Sequence, residues 1–207
     1  MSLLDASKAS LWVSLASITF NPLFWNIAAR REHRTRWLSE LCGGPRQGCY
    51  AIAAAIFSLG LVRDALFRTA MQEQPALAAL DNRVVQAVAV AAMGAGMVLV
   101  VASTYMLGIT GTFLGDYFGI LMDARVTGFP FNVLDNPMYV GSTISFLGAA
   151  LWYARPAGLL VTAYVWLVYA VALRFEGPFT AMIYAARDAA RDHPSQARKS
   201  AVKKKKL

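Results

Sequence analysis

Three side chains stand out in this 207-residue chain as able to do chemistry. They are two carboxylates, Asp116 and Glu176, and the phenol of Tyr139, each beside a long apolar run. A carboxylate accepts hydrogen bonds and holds cations, while a phenol both donates and accepts. Charged groups next to a bilayer are costly and mark function or partners. Asp116 sits in a stretch where Gly108, Gly111, Gly115 and Gly119 recur and where Asp123, Arg125 and Asp135 interrupt apolar surroundings. If this stretch is helical, the glycines make one small-residue face for close packing. If it is a loop, they let backbone amides approach a ligand. The structural role open to Asp116 is capping or pairing with Arg125. Asp135-Asn136-Pro137 reads as a helix start, with Asp or Asn as cap and Pro in the first turn, which puts Tyr139 at the mouth of the next element. Phe175-Glu176-Gly177-Pro178 sets a carboxylate at the exit of the last apolar run.

The elements that must position these groups are membrane helices. The chain is 57% hydrophobic, 15% charged and formally +8, which excludes both a soluble globular enzyme and a disordered chain. Cys42 and Cys49 supply neither a disulfide framework nor a four-ligand zinc site of ordinary spacing. Uncharged runs cover residues 9–29, 47–62, 84–115, 136–154 and 156–173. A helix needs about 20 apolar residues to cross a core of about 30 Å. Residues 84–107 and 157–173 meet that demand, and 47–62 reaches it if Arg63 snorkels to the interface. The first run is broken by Asn21-Pro22 and predicts a kinked intramembrane helix. Residues 141–153 are too few to cross and, with the Ala154-Arg155-Pro156 break, predict a short re-entrant hairpin. The fold class is therefore an all-α integral membrane protein. It has about three transmembrane helices, the kinked N-terminal helix and the hairpin, in one domain over residues 1–184.

Residues 185–207 read as a basic, disordered cytosolic tail, with net +6 over 187–207. Its Lys204 and Lys205 resemble a dilysine signal for return to the endoplasmic reticulum. No aromatic or folded reader accompanies the basic run, so nucleic acid is not an expected partner. The hairpin brings residues 136–141 and 174–180 out on one side, as one interfacial polar pocket. If the hairpin returns to the cytosolic side, the pocket and the Arg-rich segment 30–46 share that side. If only the last run crosses, residues 109–155 and the Arg-rich segment are lumenal. Trp12, Trp25, Trp37 and Trp166 read as anchors or packing, and His33 as a solvated residue.

The runs ITFNPLFWN (18–26), GTFLGDYFGIL (111–121), ARVTGFPFN (124–132), LDNPMYVGST (134–143) and PFTAMIY (178–184) closely resemble those of the phosphatidylethanolamine N-methyltransferase family. The resemblance spans residues 18–184. It implies three methyl transfers from S-adenosyl-L-methionine to the amine of a phospholipid substrate in the bilayer, phosphatidylethanolamine, giving phosphatidylcholine. It also implies residence in the endoplasmic reticulum membrane and its mitochondrial contacts. The family's cofactor site has two pieces. One is a Gly-x-Gly, matched by Gly94, Ala95 and Gly96, whose structural alternative is helix packing. The other is a glutamate pair, matched by Glu176, with Gly177 where the second carboxylate belongs. That departure implies weaker cofactor binding.

Methyl transfer to an amine is a direct displacement that needs positioning and an acceptor for the amine's proton, and no metal. Asp116, Glu176 and Tyr139 are the candidate acceptors, with Asp116 and Tyr139 as the catalytic pair. Tyr117, Phe118 and Tyr139 are candidates for cation–π contact with the methylated headgroup. Two alternatives stand beside this reading. One is an integral methyltransferase of prenylated cysteine carboxylates, which shares a Pro-x-Tyr element and a late Glu. The other is a non-enzymatic multispan protein whose glycines only pack helices.

Overall fold

The computed structural model describes residues 3–192. Among them there is no strand, and six α-helices follow in order: α1 (Ala9–Thr35), α2 (Trp37–Cys42), α3 (Pro45–Glu73), α4 (Arg83–Thr112), α5 (Pro137–Trp152) and α6 (Pro156–Asp192). Local chemistry sets their limits. The Asn82 side chain caps α4 by accepting from the amides of Val84 and Val85 at 3.1 and 3.0 Å. Gly108 breaks α4 at φ 65°, a conformation that only glycine adopts without strain. The span predicted over 84–107 lies between those two signals. Pro45 and Pro137 occupy the first turns of α3 and α5, where a missing N–H is no loss.

Three helices are long and apolar enough to cross a membrane: Pro45–Glu73, Arg83–Phe118 and Pro156–Arg191. With 16 residues, α5 is about 24 Å long at 1.5 Å per residue, short of a full crossing. It turns through residues 153–155 into α6, which is the helical hairpin expected from the sequence. α1 runs as one 27-residue helix with Pro22 inside it, at the position of the predicted kink; one turn on, Asn26 Nδ2 donates to the Pro22 carbonyl at 3.0 Å. α6 continues to Asp192, beyond residue 184, where the sequence places the end of the membrane domain. The rest of the basic segment, with Lys204 and Lys205, lies outside the described residues.

Two kinds of packing hold the bundle. Along the antiparallel α4–α5 seam, backbones touch: a Cβ on Gly96 would lie 2.4 Å from the Gly141 carbonyl oxygen, and one on Gly148 would lie 2.8 Å from that of Ala89. Small residues permit this approach where lipid supplies no hydrophobic drive. Elsewhere larger side chains interlock. Ile18, Phe67, Met71, Phe146 and Val165 form a cluster joining α1, α3, α5 and α6. The outward residues Val84, Val88, Val98, Val101 and Tyr105 of α4 are exposed, as a lipid-facing surface requires.

The glycines at 108–119 do not form a helical face. Gly108 and Gly119 are left-handed at φ 65° and 79°, and a Cβ on Gly115 would lie 2.6 Å from the Thr110 carbonyl oxygen. After the break at Gly108 one more helical turn runs to Thr112, and the chain then enters a tight loop around a 3₁₀ turn, Gly115–Phe118. It meets α6 where Thr180 bonds Asp116. Nearby, Arg30 of α1 donates to the Phe175 carbonyl at 2.7 Å. At the far end of the bundle, Ser10 bonds Glu73 and Leu77 N–H bonds the Ala154 carbonyl. The Arg-rich segment, the 113–137 loop and the end of α6 thus gather at one end. Of the two topologies left open by the sequence, this is the one in which the hairpin returns.

Candidate active site

Glu176 lies on α6 where α1 and α5 converge, and three donors from those helices fix its carboxylate. Oε1 accepts from Trp25 Nε1 at 2.6 Å and from Asn26 Nδ2 at 2.9 Å, and Oε2 accepts from the Tyr139 hydroxyl at 2.5 Å. Hydrogen bonds to a charged acceptor are the strong kind. The contact joins residues 151 and 37 positions apart in sequence, so it also locks the helices together. Tyr139 stands in the first turn of the short α5. Burial, and then the adjoining Glu176 charge, push its phenol well above the ordinary value. Its hydroxyl is the donor in the bond to Glu176.

One turn along α6, Thr180 donates to Asp116 Oδ2 at 2.8 Å. Four residues separate Glu176 from Thr180, which places them on one helix face, so Asp116 belongs to the same constellation. Its expected pairing with Arg125 does not form: Arg125 instead meets Asp135 at 3.5 Å, with both side chains exposed. Asn136 heads α5 without a side-chain cap.

The remaining candidates fall elsewhere. Gly94 and Ala95 are exposed on α4, and a Cβ on Gly94 would meet nothing within 4 Å. Gly96 faces α5, with its peptide inside regular helix. Gly177 is exposed with open space beside it. Tyr117 and Phe118 are buried in a second cluster with Ala29, Cys49 and Ile183. The Tyr117 ring stacks on Phe179 at 4.9 Å. His33 is packed rather than solvated, edge-on to Phe179 at 5.3 Å.

Two grooves flank the Glu176 node. One, of about 240 Å³, runs between α5 and α6, with Asp135, Asn136, Tyr139 and Thr143 along one side and Trp166, Tyr169 and Leu173 along the other. The second, of about 450 Å³, runs between α1 and α6, with Asn26 and Arg30 among otherwise mostly apolar walls. Asn26 Oδ1 is buried and has no hydrogen-bond partner among the described residues.

Sequence reasoning missed Trp25, Asn26, Arg30 and Thr180. Trp25 is no mere anchor, since its indole N–H holds the carboxylate. The available signal was a polar Asn-Pro-x-x-x-Asn pattern inside the first apolar run, where amides have no reason to be unless they meet a partner.

Comparison with known proteins gives a consistent result. The family model for phospholipid methyltransferases matches residues 84–187. The chain is 55% identical over 187 residues to the phosphatidyl-N-methylethanolamine N-methyltransferase of Saccharomyces cerevisiae, covering 90% of this chain and 91% of that protein. It is 59% identical over 185 residues to the protein of that name from Neurospora crassa, covering 89% and 86%. To the phosphatidylethanolamine N-methyltransferase of Homo sapiens it is 51% identical over 180 residues, covering 87% and 90%. No solved structure matches.

Proposed function

The chain belongs to the phospholipid methyltransferase family, and from that premise we propose that it carries methyl groups from S-adenosylmethionine to the amine of phosphatidylethanolamine and its mono- and dimethyl forms, ending at phosphatidylcholine. The observation that carries this reading is that the likeness runs the length of the helical bundle, not through one motif. The family premise supports, as part of the same proposal, residence in the endoplasmic reticulum membrane and its mitochondrial contacts.

The residues present fit the cofactor at the α5–α6 groove. Its rim of Asp135, Asn136 and Tyr139 beside Glu176 offers acceptors suited to ribose hydroxyls and an ammonium, and Trp166 offers a ring face for a base. S-adenosylmethionine supplies, when bound, a methyl group on a positively charged sulfur. Glu176 orients the ammonium or ribose end, and Tyr139 positions Glu176. Gly96 acts at one remove: by letting α5 close on α4 it sets where Tyr139 stands. Each transfer requires the amine to be neutral at the moment of attack, and Asp116, held by Thr180, accepts the proton it sheds.

The test is methyl transfer by the purified protein from labelled S-adenosylmethionine, with phosphatidylethanolamine vesicles against a prenylated cysteine acceptor. Labelled mono-, di- and trimethyl phospholipid is the expected product. Transfer only to the prenylated cysteine, or to neither, overturns the proposal.

A further inference from the structure

The α1–α6 groove is built like a phospholipid. Along α1, Thr19, Leu23, Ile27 and Arg30 share its wall, opposite Leu167, Val171 and Phe175 of α6. The two helices run parallel, since Thr19 bonds Tyr164 and Arg30 bonds the Phe175 carbonyl. From Thr19 to Arg30 the groove follows about 16 Å of helix at 1.5 Å per residue, enough for much of an acyl chain. One end is aliphatic apart from Thr19, whose hydroxyl is engaged by Tyr164, and the other carries Asn26 and Arg30.

Arg30 is available for an anion. Its Nη2 is engaged by Phe175 and its guanidinium lies 4.6 Å from the Phe179 ring centroid. Among the described residues no carboxylate forms an ion pair with it. A guanidinium has five N–H donors in a planar fork that matches phosphate, and most of them are uncommitted here. One turn back, about 6 Å along the helix, Asn26 Oδ1 stands buried without a donor beside the Glu176 carboxylate. A cation one turn from two acceptors is the complement of a zwitterionic headgroup whose phosphate and ammonium are joined by a two-carbon arm.

Resting on the methyl-transfer reading above, we infer that the α1–α6 groove seats the phospholipid substrate. An acyl chain lies along Leu23, Ile27 and Val171, the phosphodiester bonds Arg30, and the amine turns toward Asn26 and Glu176. The lipid and the cofactor then meet at the same carboxylate, each entering from one of the two grooves that flank it.

The test varies the mole fraction of phosphatidylethanolamine in mixed micelles at saturating S-adenosylmethionine. Arg30→Gln is expected to raise the lipid KM about tenfold, the size of one strong charge-assisted contact. Its KM for S-adenosylmethionine is expected to stay within about twofold, and Arg30→Lys, which keeps the charge but not the fork, to recover part of the loss. Leu23→Trp, which obstructs the groove without touching any polar contact, is expected to raise the lipid KM as well, and answers for the case in which Arg30→Gln fails to fold. Phosphatidylmethanol, a phosphodiester with no amine, is expected to compete against wild type and to lose that potency against Arg30→Gln, whereas diacylglycerol does not compete. An unchanged lipid KM in Leu23→Trp together with an unchanged one in Arg30→Gln or Arg30→Lys overturns the seating while leaving wild-type methyl transfer intact. No transfer by wild type overturns the parent reading instead.

Discussion

The α4–α5 and α1–α6 helix pairs solve opposite problems. α4 and α5 meet backbone to backbone through Gly96, Gly141 and Gly148, so closely that a methyl group at Gly96 would overlap a carbonyl oxygen. α1 and α6 are held apart by Leu23, Ile27, Val171 and Phe175, which line a groove of about 450 Å³, and are tied at one end by Glu176. The first seam leaves no room between the backbones, whereas the second leaves an open groove. In this bundle glycine brings two helices into backbone contact, and bulky side chains keep the other two apart.

Substitutions at each seam probe this contrast. The largest effect is expected from Glu176→Gln, which loses the charge that three donors converge on. About 2 kcal/mol, or roughly 30-fold in kcat/KM for S-adenosylmethionine, is the scale of such a loss. Steady-state kinetics on the purified variant reads it, and wild-type values would remove Glu176 from the site. Gly96→Ala should instead destabilise the bundle by about 1–3 kcal/mol, as overpacking does, lowering the thermal midpoint in detergent while KM for the cofactor holds. A raised cofactor KM with an unchanged midpoint would make Gly96 a ligand contact and break the contrast. The smallest change is Gly177→Glu, which enters open space one turn beyond Leu173 of the α5–α6 groove. An added exposed carboxylate contributes up to about 1 kcal/mol, so KM for S-adenosylmethionine should fall by roughly threefold.

Much of this was legible in the residues. The span over 84–107 is bounded by Asn82 and Gly108 because capping and left-handed breaks are local chemistry. That Tyr139 and Glu176 lie toward the same end of the bundle follows from the hairpin, since two antiparallel helices joined by a three-residue turn carry the chain back to the end it left; counting alone pairs Tyr139 with Tyr169, whose ring it meets at 5.0 Å. The partners on α1 were not legible. Trp25 and Asn26 reach Glu176 across 151 and 150 residues, and no periodicity within α1 says which neighbour it packs against. Nor could composition decide whether the glycines at 108–119 pack or turn, since glycine suits both. The φ angles at Gly108 and Gly119 decide for turning. Arg125 and Asp116 looked like a pair by proximity in sequence, yet the loop carries Arg125 outward to Asp135.

The rim of the α1–α6 groove has a further consequence. Leu23, Ile27, Leu167 and Phe175 are each more than half exposed, so the groove is a bay along the side of the bundle, not a tunnel through it. A lipid seated there would come and go by lateral diffusion within the leaflet, without leaving the bilayer. Among the described residues no wall closes over it to retain it after one methyl group has been added. Successive methylations would then be distributive, with partly methylated lipids released to the membrane between visits, and the ratio of those intermediates would follow lipid abundance as much as the chemistry at Glu176.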